Sequence, residues 1–135
     1  MEIYTDGASR GNPGKSAIAY IVTRNGETLE EVSVYIDVAT NNEAEYKAIL
    51  FAILHSKIYR EPLTIISDSQ VVIRQLIGLY QVKSENLIPL HDMVRKAEQT
   101  HGYEIEYEWR KRSDPMLTKC DLLCNRVLDG ALTAK

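Results

Sequence analysis

The chain has 135 residues, 44% of them hydrophobic and 26% charged, with a net charge of −3 and a pI near 5.6. That is one domain, residues 1–135, long enough to bury roughly two thirds of its unfolded surface. Two cysteines, Cys120 and Cys124, rule out a disulfide scaffold, no apolar run approaches the roughly 18 residues of a membrane helix, and the acidic balance argues against strong nonspecific binding of nucleic acid by the bare protein.

Residues 1–6 (MEIYTD) alternate apolar and polar side chains as a strand does. Residues 7–16 hold three glycines and Pro13, which predicts a loop. Residues 17–24 form an apolar, β-branched second strand. Asn25-Gly26 is a strong hairpin signal, and residues 27–37 return as a third strand with Leu29, Val32, Val34 and Ile36 on its apolar side. The period then changes. Ala44, Ala48, Phe51, Ala52 and His55 fall at helical spacings over residues 42–56, with Thr40, Asn41 and Asn42 available as caps. Residues 63–67 (LTIIS) read as a strand buried on both faces. A short helix over residues 69–76 closes at Gly78, and a longer one opens at Ser84 or Glu85 and stops at Gly102. Residues 103–109 alternate as a strand, residues 110–117 are a polar loop, and residues 118–132 form a last helix packing through Leu122, Leu123, Val127, Leu128 and Ala131. The order β-β-β-α-β-α-α-β-α predicts an α/β domain with a mixed sheet, an antiparallel meander joined to crossover-linked parallel strands. The N-terminus has neither the basic nor the apolar region of a signal peptide, so a cytoplasmic protein is expected.

Four acidic residues stand at telling positions. Asp6 ends the first strand and Asp68 follows the buried fourth; Glu45 sits in the first turn of a helix and Asp121 within the last. Singly, each has an ordinary explanation: a turn residue, a helix cap, a charge favoured by the helix dipole, a solvated helix residue. Together they suggest more, because sites in open α/β sheets form at the carboxyl ends of strands. Crowded carboxylates cannot all ionise unpaired, and no Lys or Arg lies within the short stretches TDG, NNEAEY and SDSQ that hold the first three. A divalent ion is the natural partner, and hard oxygen donors suit Mg²⁺ or Mn²⁺. Two such ions about 3.5–4 Å apart can stabilise both oxygens of an in-line phosphoryl displacement.

The segments YTDGASRGNPG, TNNEAEYKAIL, SDSQVVIRQLIG and KCDLLCN resemble, in order and spacing, the successive signatures of type 1 ribonuclease H. The resemblance covers residues 4–125. It implies a ribonuclease H-like fold with a five-stranded mixed sheet and helices on both faces. It also implies a metal-dependent endonuclease that hydrolyses the RNA strand of RNA–DNA hybrids and leaves 5′-phosphate and 3′-hydroxyl ends. By the same resemblance Asp6, Glu45, Asp68 and Asp121 are the catalytic, metal-ligating residues, for two ions once substrate is bound. Asn12, Asn41 and Gln70 would line the minor groove of the hybrid, where amides can exchange hydrogen bonds with 2′-hydroxyls. A monomer without an obligate protein partner is expected. Other readings of the same residues are a related nuclease for double-stranded RNA or RNA–DNA junctions, and a noncatalytic nucleic-acid-binding module.

The chain departs from the family pattern in two ways. Many members carry a histidine in the loop before the last aspartate, but WRKRSDPMLTKCD has none. Lys111, Arg112 or Lys119 could attract phosphate there without shuttling protons at neutral pH. The connection GLYQVKS is also too short for the basic protrusion of some members, and no separate hybrid-binding domain is expected ahead of the first strand. The basic run Arg110, Lys111, Arg112, with Lys119 nearby, is the expected docking charge. Cys120 and Cys124, one helical turn apart, read as buried apolar residues in a reducing compartment.

Overall fold

The computed structural model describes residues 1–133, with side chains described through residue 130. The five strands are β1 (Glu2–Gly11), β2 (Gly14–Arg24), β3 (Glu27–Ala39), β4 (Leu63–Ser67) and β5 (Ile105–Trp109). They lie in the order β3-β2-β1-β4-β5. β1–β2 and β2–β3 pair antiparallel, β1–β4 and β4–β5 parallel. The helices are α1 (Asn41–Ser56), α2 (Gln70–Leu76), α3 (Ile88–His101) and α4 (Pro115–Thr133). The mixed α/β sheet and the element order therefore match the sequence-based expectation. No helix among the described residues is long and apolar enough to cross a membrane.

Two cores lie on opposite faces of the sheet. On one, Ile3, Tyr20, Val22 and Ile65 pack with Tyr46, Ile49 and Ile53 of α1, Val72 and Leu76 of α2, and Leu90 and Val94 of α3. On the other, Tyr4, Ala17, Ala19, Ile21 and Ile66 meet Leu117, Cys120, Cys124 and Leu128 of α4. The alternation Ile3/Tyr4 and Ile65/Ile66 feeds both cores, as period-two side chains must. Both cysteines are free and fully buried, and burial pushes both thiols up, so they stay protonated.

Several boundaries differ from expectation. The predicted loop over residues 7–16 is strand: β1 runs to Gly11 and β2 starts at Gly14, leaving a two-residue turn whose Asn12-Pro13 peptide is cis. Glycine content signals a turn, but here the glycines sit in strands where neighbouring backbone comes close. β3 lacks a clean alternation: Leu29 and Val34 are exposed, because it is an edge strand interrupted by two register shifts against β2. α3 begins at Ile88, after a turn closed by the Leu87 N–H on the Ser84 carbonyl (3.0 Å). A helix from Ser84 would bury Pro89 in its interior, whereas Pro89 in the first turn loses nothing. α4 begins at Pro115, capped by Asp114, whose Oδ1 accepts from the N–H groups of Met116 (2.9 Å) and Leu117 (3.3 Å). Leu122 faces solvent rather than the core, and the packing expected of Ala131 falls outside the described side chains.

Candidate active site

The site lies where the sheet splits. β1 continues to Gly11, but its parallel partner β4 stops at Ser67, and their ladder covers just Glu2–Tyr4 against Thr64–Ile66. Asp6 therefore does not end its strand, as the sequence suggested. It is mid-strand, paired with Ala19 on one side and without a strand on the other. The offset that pairs Tyr4 with Ile66 brings Asp6 level with Asp68, which has just left β4. Asp68 is not a helix cap. Ser69 takes that place, its Oγ accepting from the Val72 N–H. The Asp68 backbone is fixed from β5 by the Trp109 indole N–H, which donates to its carbonyl at 3.0 Å.

Glu45 arrives from α1. Thr40 caps this helix in a capping box with Glu43, so Asn41 is not the cap either. The helix crosses β1 so closely that Ala44 and Glu45 backbone lies over Gly7. There the Gly7 N–H donates to Glu45 Oε1, while Ser67 Oγ–H donates to Oε2 at 3.3 Å. Asp6, Glu45 and Asp68 each offer an oxygen within 4.8 Å of the others. Asp6 and Glu45 are buried and Asp68 is partly so.

This crowding shows in proton affinity. Burial, then the Asp68 charge, push the Asp6 carboxyl from 3.8 up to about 7, with Asp121 adding to the rise and a hydrogen bond from Glu45 and the Arg112 charge opposing it. Burial, followed by the charges of Asp6 and Asp68, raises Glu45 well above the ordinary carboxylate range. The carboxylates need positive charge, and the fold supplies one that the motifs lacked: Arg112 Nε donates to Asp68 Oδ2 at 3.2 Å. Three hard oxygen donors that repel one another in the absence of a cation fit a divalent ion such as Mg²⁺ or Mn²⁺.

Asp121 stands at the rim. It is exposed on α4 and lines the same cavity as the other three, yet its carboxylate is outside their cluster. Asn12 and Asn41 are tied together: Asn12 Oδ1 accepts from the Asn41 N–H (3.0 Å), and Asn41 Oδ1 accepts from the Ser9 N–H (3.1 Å). These bonds engage the amide oxygens, and among the described residues neither side-chain NH₂ donates within the protein. Asn41 lines both the carboxylate cavity and a neighbouring groove with Asn12, Thr40, Ser84 and Asn86. Gln70, the exposed first residue of α2, follows the cavity residue Ser69 but does not itself line the cavity.

The basic run is largely committed elsewhere. Arg110 bonds Glu2, Glu108, Asp114 and the Tyr4 hydroxyl and lies over the Tyr4 ring, and Lys119 pairs with Glu31. No histidine lines the cavity: His55 pairs with Glu30, His91 meets the Tyr46 ring edge-on, and His101 Nε2 meets the Glu61 carbonyl. Sequence reasoning missed Gly7 as a contact point, Ser67 as a Glu45 donor and Trp109 as an Asp68 anchor. Gly7 alone carried a signal, since a glycine next to a candidate carboxylate invites close backbone approach.

Against this geometry, the RNase H family profile matches residues 1–112. The chain belongs to the RNase H family. It is 34% identical to ribonuclease HI of Halobacterium salinarum over 97% of its own length and 65% of that protein's. It is 32% identical to the bifunctional protein Rv2228c of Mycobacterium tuberculosis over 96% of its length and 35% of that protein's. The chain thus spans less than two thirds of these relatives. LC11-RNase H1, solved in complex with an RNA/DNA hybrid, superposes with a TM-score of 0.91 at 30% identity, covering 98% of this chain and 99% of that one. The RNase H fold and the type 1 resemblance read from the motifs both hold.

Proposed function

We propose that this RNase H family member hydrolyses the RNA strand of RNA–DNA hybrids as a divalent-metal-dependent endonuclease, leaving 5′-phosphate and 3′-hydroxyl ends. The observation that carries the reading is the convergence of Asp6, Glu45 and Asp68 within 4.8 Å, with Asp121 at the rim of the same cavity. A noncatalytic binder of polyanions gains nothing from buried negative charge. These four residues would hold Mg²⁺ or Mn²⁺, two ions with substrate bound. Such an ion supplies Lewis acidity and offsets charge on the transferring phosphoryl group.

The chain's own groups supply position and selectivity. Gly7 N–H and Ser67 Oγ–H fix both oxygens of Glu45, so its carboxylate cannot rotate away. Asn12 and Asn41 line the shared groove, where their side-chain amides can exchange hydrogen bonds with 2′-hydroxyls that DNA lacks. Gln70, close by on α2, would extend this row. Arg112 and exposed Lys111 stand ready for phosphate oxygens. Action as a monomer completes the proposal, and the free, buried cysteines suit a cytoplasmic setting. The LC11 complex with hybrid favours this substrate over RNA duplexes or junctions.

The test is a cleavage assay with labelled hybrid, RNA duplex, RNA–DNA junction, DNA duplex and single strands, each with Mg²⁺, Mn²⁺ or EDTA. Cleavage of the hybrid's RNA strand with either metal, and none in EDTA, is expected. Hybrid left intact while RNA duplex or a junction is cut would overturn the substrate assignment.

A further inference from the structure

The structure assigns Arg10 a positioning role: by holding α4 at a fixed place along β1, it sets where Asp121 stands relative to Asp6. The inference rests on the reading of Asp121 as part of the active site.

Tyr4, Asp6 and Arg10 share one face of β1, since their spacings are even. α4 lies across that face, and Asp121, Asn125 and Asp129, each one turn apart, line one side of the helix. The two rows run alongside each other. At the inner end Asp121 faces the cavity that holds Asp6. At the outer end Arg10 Nη2 donates to Asp129 Oδ1 at 2.7 Å, Asn125 Oδ1 at 3.1 Å and the Asn125 carbonyl at 3.4 Å. Asn125 in turn donates through Nδ2 to the Asp121 carbonyl at 2.9 Å. A chain of hydrogen bonds therefore links the guanidinium to the backbone of the rim aspartate.

The rest of the α4 contact does not fix its axial position so firmly. The apolar layer is non-directional, and the sheet face opposite it sets the small side chains of Ala17 and Ala19 among Tyr4, Ile21 and Ile66. Cys120 and Cys124 aim Sγ–H groups at the Tyr4 and Asp6 carbonyls, at 3.5 and 3.6 Å, but thiols are weak donors. Arg110 with Asp114 and Lys119 with Glu31 secure the helix before Asp121. Beyond Asp121, among the described residues, Arg10 is the charged tie to the sheet. Asp121 needs such control because, among the described residues, no hydrogen bond reaches its side chain, and it lies outside the cluster of the other three. A displacement of 1 Å at a catalytic group can lower a rate by about 100-fold.

Arg10→Ala, Arg10→Lys, Asp129→Asn, their double variant and Asp121→Asn are compared in kcat, hybrid KM, metal-free melting temperature and Mn²⁺ affinity by calorimetry without substrate. Arg10→Ala and Asp129→Asn are each expected to lower kcat about tenfold, to weaken Mn²⁺ binding severalfold and to leave KM within about twofold. The double variant Arg10→Ala/Asp129→Asn should be no worse than Arg10→Ala alone, because both changes act on one contact, and Arg10→Lys should recover part of kcat. A KM-only effect in Arg10→Ala, with Asp129→Asn like the parent, would make Arg10 a phosphate contact and overturn the proposal. So would a lower melting temperature in both with kcat and Mn²⁺ affinity unchanged. Asp121→Asn cleaving at the parent rate would instead remove the underlying reading of Asp121, whatever Arg10 does.

Discussion

A Cβ on Gly7 would lie 2.3 Å from the Ala44 carbonyl carbon and 2.5 Å from the Glu45 nitrogen, both backbone atoms that cannot rotate aside. Gly7→Ala must therefore push α1 off β1 and carry Glu45 away from its Gly7 and Ser67 donors. Overpacking of this kind destabilises by about 1–3 kcal/mol, and hybrid cleavage should fall at least tenfold more than stability alone explains. Melting curves beside single-turnover cleavage check this; full activity in the variant would show that Glu45 tolerates displacement. Asp6 raises a different issue. Its carboxyl titrates near 7 in the native state against 3.8 in the unfolded chain, because it is buried and faces Asp68. Between those values the folded protein holds a proton that the unfolded chain has released. Metal-free stability must then fall as pH rises from about 4 to 7 and stay low above that window. Asp6→Asn removes this term, so in EDTA its stability should depend less steeply on pH and exceed the parent's at pH 8, while cleavage drops by orders of magnitude. Glu45, also shifted upward, leaves a residual slope. Urea midpoints in EDTA from pH 4.5 to 8 decide the matter: parallel curves for parent and variant would show that Asp6 carries no native-state penalty.

At the scale of elements, the site depends on where strands and helices stop, which the sequence states unevenly. The strand LTIIS and the hairpin at Asn25-Gly26 were plain, because a short buried apolar run and a turn needing positive φ at both residues have few alternatives. The Asp114-Pro115 start of α4 was equally explicit as cap and first helical residue, yet is easily passed over inside a polar stretch. By contrast, the extension of β1 through Gly11 was hidden. Its glycines and Ser9 look like loop, and their role in strand emerges once Ser9 Oγ reaches the Ala39 carbonyl at 2.9 Å and Gly7 meets α1. The pairing of Arg112 with Asp68 spans 44 residues and no local pattern foretells it. Asp6, Glu45 and Asp68 were legible because their motifs are local; the bond from Asn41 to the Ser9 N–H is not. It alters what Asn41→Ala should do. The variant loses the side-chain amide at the groove and also frees an exposed N–H that water can satisfy, so folding should change little. One hydrogen bond to substrate contributes about 0.5–1.5 kcal/mol, so hybrid cleavage should fall about two- to tenfold. A folded Asn41→Ala protein cleaving at the parent rate would remove Asn41 from substrate recognition.

For the whole molecule, the proposed substrate is a polyanion and the chain itself carries a net charge of −3. Two divalent ions would offset that charge locally, so the remaining attraction falls to the few cations not already paired within the protein. The sequence offered a basic run of three, but the fold divides its labour. Arg110 ties β1, β5 and α4 together through Glu2, Glu108 and Asp114, and Lys119 is held by Glu31. Lys111 is exposed and, among the described residues, pairs with no carboxylate, while Arg112 lies at the cavity beside Asp68. One phosphate contact makes affinity fall with salt by a slope near −0.9, or about 3.5-fold between 50 and 200 mM. With one or two such contacts, hybrid KM at fixed Mg²⁺ should rise about 3- to 12-fold over that range while kcat changes little. Lys111→Ala should reduce the logarithmic slope by about one without changing the melting temperature. Arg110→Ala should do the reverse, keeping the slope and losing roughly 1 kcal/mol of stability as its ion-pair network is broken. Salt titrations of KM for the three proteins, with melting curves alongside, separate the two roles. An Arg110→Ala variant that loses slope and keeps its stability would return that residue to the docking surface, and a parent KM indifferent to salt would leave groove contacts as the whole of hybrid binding.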